Sequence, residues 1–191
     1  MKRFLLALLI ILPLSCTSGG NALEKCLTSE ELEVARTITS EVYIKIYNLV
    51  ALQGVTEKDD VIKRYFDNGI RLSAALGTMD TLCPDSSFTT ILFNLFDQEV
   101  LGRFVERDYE SGRSVIKKDG KYMEVLSRMS HRNKFFRGFY KFMRDSDGCT
   151  GVPYIVSINY ENIDFNKEDE QFIAYLALLA RPDREPIKFE K

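Results

Sequence analysis

Five separate stretches of this chain carry apolar residues that recur every three or four positions, and nothing else restricts its fold as strongly. Positions at that spacing share one face of an α-helix. Each stretch is therefore an amphipathic helix that must bury its stripe against other elements. The first stripe is Ala35, Ile38, Val42, Ile46 and Leu49. Thr28 precedes it with Glu31 three residues on, a capping box in which each side chain satisfies a free backbone N–H of the other. Gly54 marks its end. The second stripe is Ile62, Tyr65, Phe66, Leu72 and Leu76, behind Thr56 and Asp59, with Asn68-Gly69 as a potential kink. The third follows Pro84-Asp85-Ser86 and is the most apolar, with Phe88, Ile91, Leu92, Leu95, Phe96, Val100, Leu101 and Phe104, so it is expected at the centre of the fold. The fourth runs from about Lys121 to Arg144. The fifth, capped by Asn166, carries Phe172, Ile173, Leu176 and Leu179 and stops before Pro182.

Two segments read differently. Ser114–Lys117 and Lys121–Glu124 flank Asp119-Gly120, a tight-turn pair, so a hairpin competes there with an early helix start. Tyr154–Ile158 is rich in β-branched and aromatic residues and is expected to be extended, either paired with 114–117 or packed as a strap, because a lone strand is unstable. No repeat or internal linker divides the chain. The expected fold is mostly α, a single-domain up-and-down bundle of about five helices over residues 23–191, with room for a short β-hairpin or strand pair.

The first residues set the compartment. Lys2 and Arg3 precede an unbroken apolar run from Phe4 to Leu12, which Pro13 interrupts. This is the pattern of a secretory signal, and the run is too short to span a bilayer. Small residues at Cys16 and Ser18, or at Gly20 and Ala22, suit a signal peptidase, and the second pair sets the signal at residues 1–22. Leu12-Pro13-Leu14-Ser15-Cys16 resembles a bacterial lipoprotein processing box, and Thr17 to Asn21 resembles the tether that follows one, although Pro13 stands where Leu or Val is usual. The resemblance implies a signal of residues 1–15 and a lipid on Cys16; simple cleavage remains the alternative. Either way the chain is expected in a bacterial cell envelope, periplasmic or lipid-anchored, or secreted. The absence of any Asn-x-Ser/Thr sequon points the same way.

An oxidising compartment permits disulfides. Cys26, Cys83 and Cys149 all fall at one end of an up-and-down bundle. A Cys26–Cys83 bond is expected, closing a long loop for about 3–4 kcal/mol. The third thiol is then left free or joins a second copy in a homodimer. The cysteine spacings match no ligand pair on one helical turn, so no metal and no other cofactor is expected.

Charge is unevenly spread. Residues 113–144 hold ten Lys/Arg against two acids, while the rest of the chain is acidic. On a helix, Lys134, Arg137, Lys141 and Arg144 share one face, opposite Tyr122, Leu126, Met129, Phe136, Phe139, Tyr140 and Met143. Arg132 falls inside the apolar side, where it needs a carboxylate partner. The basic face suits an anionic membrane surface or an acidic protein partner. The expectation, however, is that acids of neighbouring helices neutralise it. A net charge of −2 and the lack of any recognition motif argue against nucleic acid. His131 is the only histidine, and a nucleophile–base pair needs it beside Cys149, Ser127 or Ser130. Neither a Gly-x-Ser-x-Gly elbow nor a glycine-rich phosphate loop occurs. The acids at Glu30/Glu31, Asp59/Asp60 and Glu168/Asp169/Glu170 fall in first helical turns, where the helix dipole accounts for them. The function expected is binding without catalysis, to a protein partner or a membrane surface. A hydrolase-like site around His131 is the alternative.

Overall fold

The computed structural model describes residues 20–51, 58–76, 98–108, 113–146 and 152–179. Their helices are α1 (Ala22–Cys26), α2 (Ser29–Ala51), α3 (Lys58–Leu76), α4 (Gln98–Leu101), α5 (Lys121–Met129), α6 (Lys134–Asp145), α7 (Val152–Ile158) and α8 (Glu168–Leu179). Between α4 and α5 lies one antiparallel hairpin of β1 (Val105–Asp108) and β2 (Arg113–Ile116). The mostly α class matches the helical stripes.

The middle of the fold is α8. Phe172 through Leu179 are all buried, so this helix has no solvent face beyond its first turns and must be enclosed by others. α2 lies along α8 and α3, α7 covers a further side, and α5 packs on α1, α6 and α8. The α2 stripe of Ala35, Ile38, Val42 and Ile46 is buried, whereas Leu49 is exposed. The capping box forms as expected: Thr28 N donates to Glu31 Oε2 at 2.9 Å, and Glu31 N to Thr28 Oγ1 at 3.3 Å. Of the third stripe, Val100, Leu101 and Phe104 are buried; residues 88–97, with Leu95 and Phe96, lie outside the described residues, as do Gly54 and Thr56.

Four local expectations are corrected. The fourth stripe is two helices, not one. Ser130 and Arg132 N–H groups close turns onto Leu126 O and Met129 O, at 2.9 and 2.8 Å. Asn133 is then extended (φ −150°), and its side chain accepts the Phe136 N–H at 2.9 Å. An asparagine N-cap has restarted the helix. The hairpin lies upstream of its expected place, with Val105 opposite Ile116, and Lys121–Glu124 are helical. Gly120 is the N-cap of α5, where a Cβ would stand 2.6 Å from Arg103 O, and the Lys121 N–H donates to that same oxygen at 2.8 Å. Tyr154–Ile158, in turn, is helical. Pro153 falls in the first turn, where a missing N–H costs nothing. Val152 and Val156, four residues apart, are both fully buried, so packing overrides the β propensity of the segment. The start of α8 is organised by Asp164 and not by Asn166: Asp164 Oδ1 accepts the Asn166 N–H, and Asp164 N donates to Glu170 Oε2 at 2.8 Å.

Candidate functional site

The acids at the start of α8 do more than neutralise a helix end; each holds a different part of the molecule. Glu168 accepts Asn21 Nδ2 at 2.6 Å and Arg36 Nε at 2.6 Å. Asp169 accepts the Ala22 backbone N–H at 2.6 Å, Arg132 Nη1 at 2.9 Å and Arg132 Nη2. Glu170 accepts the Asp164 N–H and Lys167 Nζ and lies 3.6 Å from Arg132 Nη1. Asp169 is only 2 % exposed. Burial alone would push its carboxyl up, but the Arg132 and Ala22 hydrogen bonds outweigh that and hold it below the usual carboxylate range. Arg132 has thus found the carboxylate its position demanded, and its Nη2 also donates to Gly20 O at 3.3 Å. Reading the acids as first-turn residues missed this hub. The signal for it is the apolar run Phe172–Leu179: a helix enclosed on all sides begins inside the protein, and so do its first acids.

Immediately after Arg132 comes the basic helix. α6 packs on α5 through Phe136, Phe139 and Met143. On the opposite side Lys134, Arg137, Lys141 and Arg144 are exposed. Arg144 bonds its neighbour Asp145 at 2.9 Å and lies 6.0 Å from the Tyr140 ring centroid. Among the described residues Lys134, Arg137 and Lys141 make no ion pair. Among the described residues, neutralisation by neighbouring helices, the expectation from overall charge, is therefore not met. The physical reason is local. α5, the helix beneath, has one acid, Glu124, and Lys121 takes it at 2.9 Å. The acids of α8 are already engaged in the hub. Gly138 sits among the cations on the exposed face, where a Cβ would meet no atom within 4 Å. Neither packing nor close approach within the fold requires a glycine there, and it leaves bare backbone between the charges.

Beside the hub, an open groove of about 1270 Å³ runs between α1, α5 and the start of α8, with Lys25, Cys26, Glu124, Arg128, His131 and Glu168 on its walls. Both signs of charge line it, and it lacks the enclosed apolar character of ordinary ligand pockets. His131 is exposed, and no hydrogen bond joins it to Ser127 or Ser130; the Ser130 hydroxyl donates instead to Ser127 O at 2.6 Å. Cys26 is a free thiol, its Sγ 3.9 Å from Glu124 O under α5; Cys83, its expected disulfide partner, lies outside the described residues. Burial pushes this thiol up, which keeps it protonated and a poor nucleophile. Cys16, Cys83 and Cys149 lie outside the described residues. Among the described residues no group of three or more His, Cys, Asp or Glu is placed to hold a metal ion, and no helix is long and apolar enough to cross a membrane.

No protein-family model matches this chain, and no curated protein or solved structure does.

Proposed function

We propose that this chain is an exported envelope or secreted protein that acts by binding, and that it docks the basic face of α6 on an anionic surface without catalysing a reaction. One observation carries this: Lys134, Arg137 and Lys141 are exposed without an ion pair among the described residues, with Arg144 and the open Gly138 beside them. A cation close to an anionic bilayer contributes about 1 kcal/mol. Four give about 4 kcal/mol, a dissociation constant of order 1 mM. Attachment of that strength is reversible, and lasting attachment takes a second contact, such as a lipid or a protein partner.

Sedimentation with vesicles containing an anionic phospholipid tests the proposal. The exported protein should sediment with them at low salt and be released at high salt, because screening acts strongly on exposed charge. Replacing Lys134, Arg137, Lys141 and Arg144 together by Gln should abolish binding and leave the urea midpoint almost unchanged. A wild-type protein that ignores the vesicles would refute the membrane surface, and salt-sensitive capture of an acidic protein instead would make the partner a protein. A quadruple variant that loses well over 1 kcal/mol of stability would show that the face serves the fold.

A further inference from the structure

The hub at the start of α8 bears on where export processing cuts this chain. Gly20, Asn21 and Ala22 are clasped to the rest of the molecule by three separate residues. Arg132 Nη2 donates to Gly20 O at 3.3 Å, Asn21 Nδ2 donates to Glu168 at 2.6 Å, and Ala22 N donates to Asp169 at 2.6 Å. Asn21 also caps α1 by accepting the Leu23 N–H at 3.0 Å. Ala22 and Leu23 are 1 % and 0 % exposed. These contacts span more than a hundred residues of sequence, so Gly20–Ala22 belong to the packed domain and not to a disposable leader.

We infer that the processing site lies before Gly20 and that Gly20–Ala22 stay in the mature protein as part of its fold. This rests on the export reading. Hydrolysis of a peptide bond consumes one water, which adds OH to the acyl carbon and H to the released amine. The new terminus is then an ammonium. A cut after Ala22 would place that ammonium on Leu23, which is fully buried, while removing the N-cap of α1 and the Ala22 N–H that Asp169 accepts. A charge buried there is strongly disfavoured. A cut after Ser18, or one before Cys16, leaves the clasp whole. Both put the new terminus within a few residues of Gly20, whose carbonyl Arg132 holds.

Intact mass of the protein recovered after export in its native host reads the outcome directly. The mass expected is that of a chain starting at Cys16 or Gly19, with or without lipid. A chain starting at Leu23 would overturn the inference and leave the export reading standing. An uncut chain would overturn both, and the two failures differ in mass. A second measurement separates a structural clasp from a coincidence of cleavage. In the exported protein Asn21→Ala removes the cap and the Glu168 bond, and the melting temperature should fall by about 2–4 °C, as losing a helix cap does in a domain of this size. Unchanged melting would overturn the inference, because Gly20–Ala22 would then contribute nothing to the fold.

Discussion

Replacing Arg132 with Met keeps an unbranched apolar stem and deletes the guanidinium with its charge. Asp169 then loses both hydrogen bonds from Arg132 and keeps the backbone N–H groups of Ala22 and Glu170. Its side chain is 3 % exposed and that of Glu170, 3.6 Å from the guanidinium, is 4 % exposed, so both carboxylates are left largely desolvated. Removing one partner of a buried pair costs about 3–5 kcal/mol. The Arg132 side chain is itself 22 % exposed, which places the loss near the lower end, about 3 kcal/mol. Urea unfolding at neutral pH measures it. The sign of the pH dependence follows from the carboxyl. In the wild-type protein Asp169 sits below its ordinary value of 3.8, so its contribution is present above that value and is lost as pH falls through the lower folded one. Without Arg132 the buried carboxyl rises instead, and it can escape its penalty by taking a proton. The deficit of the Met variant should therefore shrink as pH is lowered from 7 towards 4. Asp169→Asn removes the charge but keeps an oxygen for the Ala22 N–H, so in that background Arg132→Met should cost clearly less. A loss below about 1 kcal/mol at neutral pH, or the same loss in both backgrounds, would refute the claim that this pair is a buried hub.

Two matched pairs test the packing elsewhere. Gly120→Ala should destabilise by about 1–3 kcal/mol, since its Cβ would meet Arg103 O at 2.6 Å and Lys117 Cβ at 2.8 Å, whereas Gly138→Ala should stabilise by about 0.5–1 kcal/mol in open space on a helix. Urea midpoints of the same sign for both would contradict this account. Tyr122→Phe should cost about 1–2 kcal/mol, because its hydroxyl donates to Ile173 O at 3.0 Å, while Tyr175→Phe should be neutral or slightly stabilising, because its buried hydroxyl has no partner among the described residues. Thermal melts of the two variants, compared with wild type, decide it.

The helical class was legible because it depends on spacing alone, and a stripe such as Ala35, Ile38, Val42 and Ile46 has only one geometry that buries it. The Thr28/Glu31 box was legible for the same reason, since both partners lie within one turn. What failed was the joining of segments. One wheel drawn through 121–144 assumes an unbroken axis, and Asn133 breaks it with a single side-chain bond to Phe136 N. Tyr154–Ile158 favours a strand by composition and is helical because Val156, one turn after the equally buried Val152, packs into the core. The second effect cannot be seen without knowing which neighbour each residue meets, whereas the Asn133 cap, three residues from Phe136, was a local signal that a single wheel passed over.

The charges show the same limit from the other side. A count of acids and bases finds ample negative charge for α6, and by that count Lys134, Arg137 and Lys141 ought to be paired. Ion pairs, however, form within about 4 Å, so what matters is which acids stand on the helices that α6 touches. α5 offers Glu124 alone, and Lys121 holds it. The acids of α8 are already engaged, Asp169 and Glu170 in the interior and Glu168 at its edge, where Asn21, Ala22, Arg36, Arg132 and Asp164 use their oxygens. Each bond that builds the clasp is therefore one fewer counter-charge for the surface. Arg132 and Lys134, two residues apart, show the division: the first is turned into the hub and paired, while the second, past the Asn133 cap, faces solvent with no ion pair among the described residues. The Asn133 break is what separates a cation paired within the fold from the exposed Lys134, Arg137 and Lys141, which have no ion pair among the described residues.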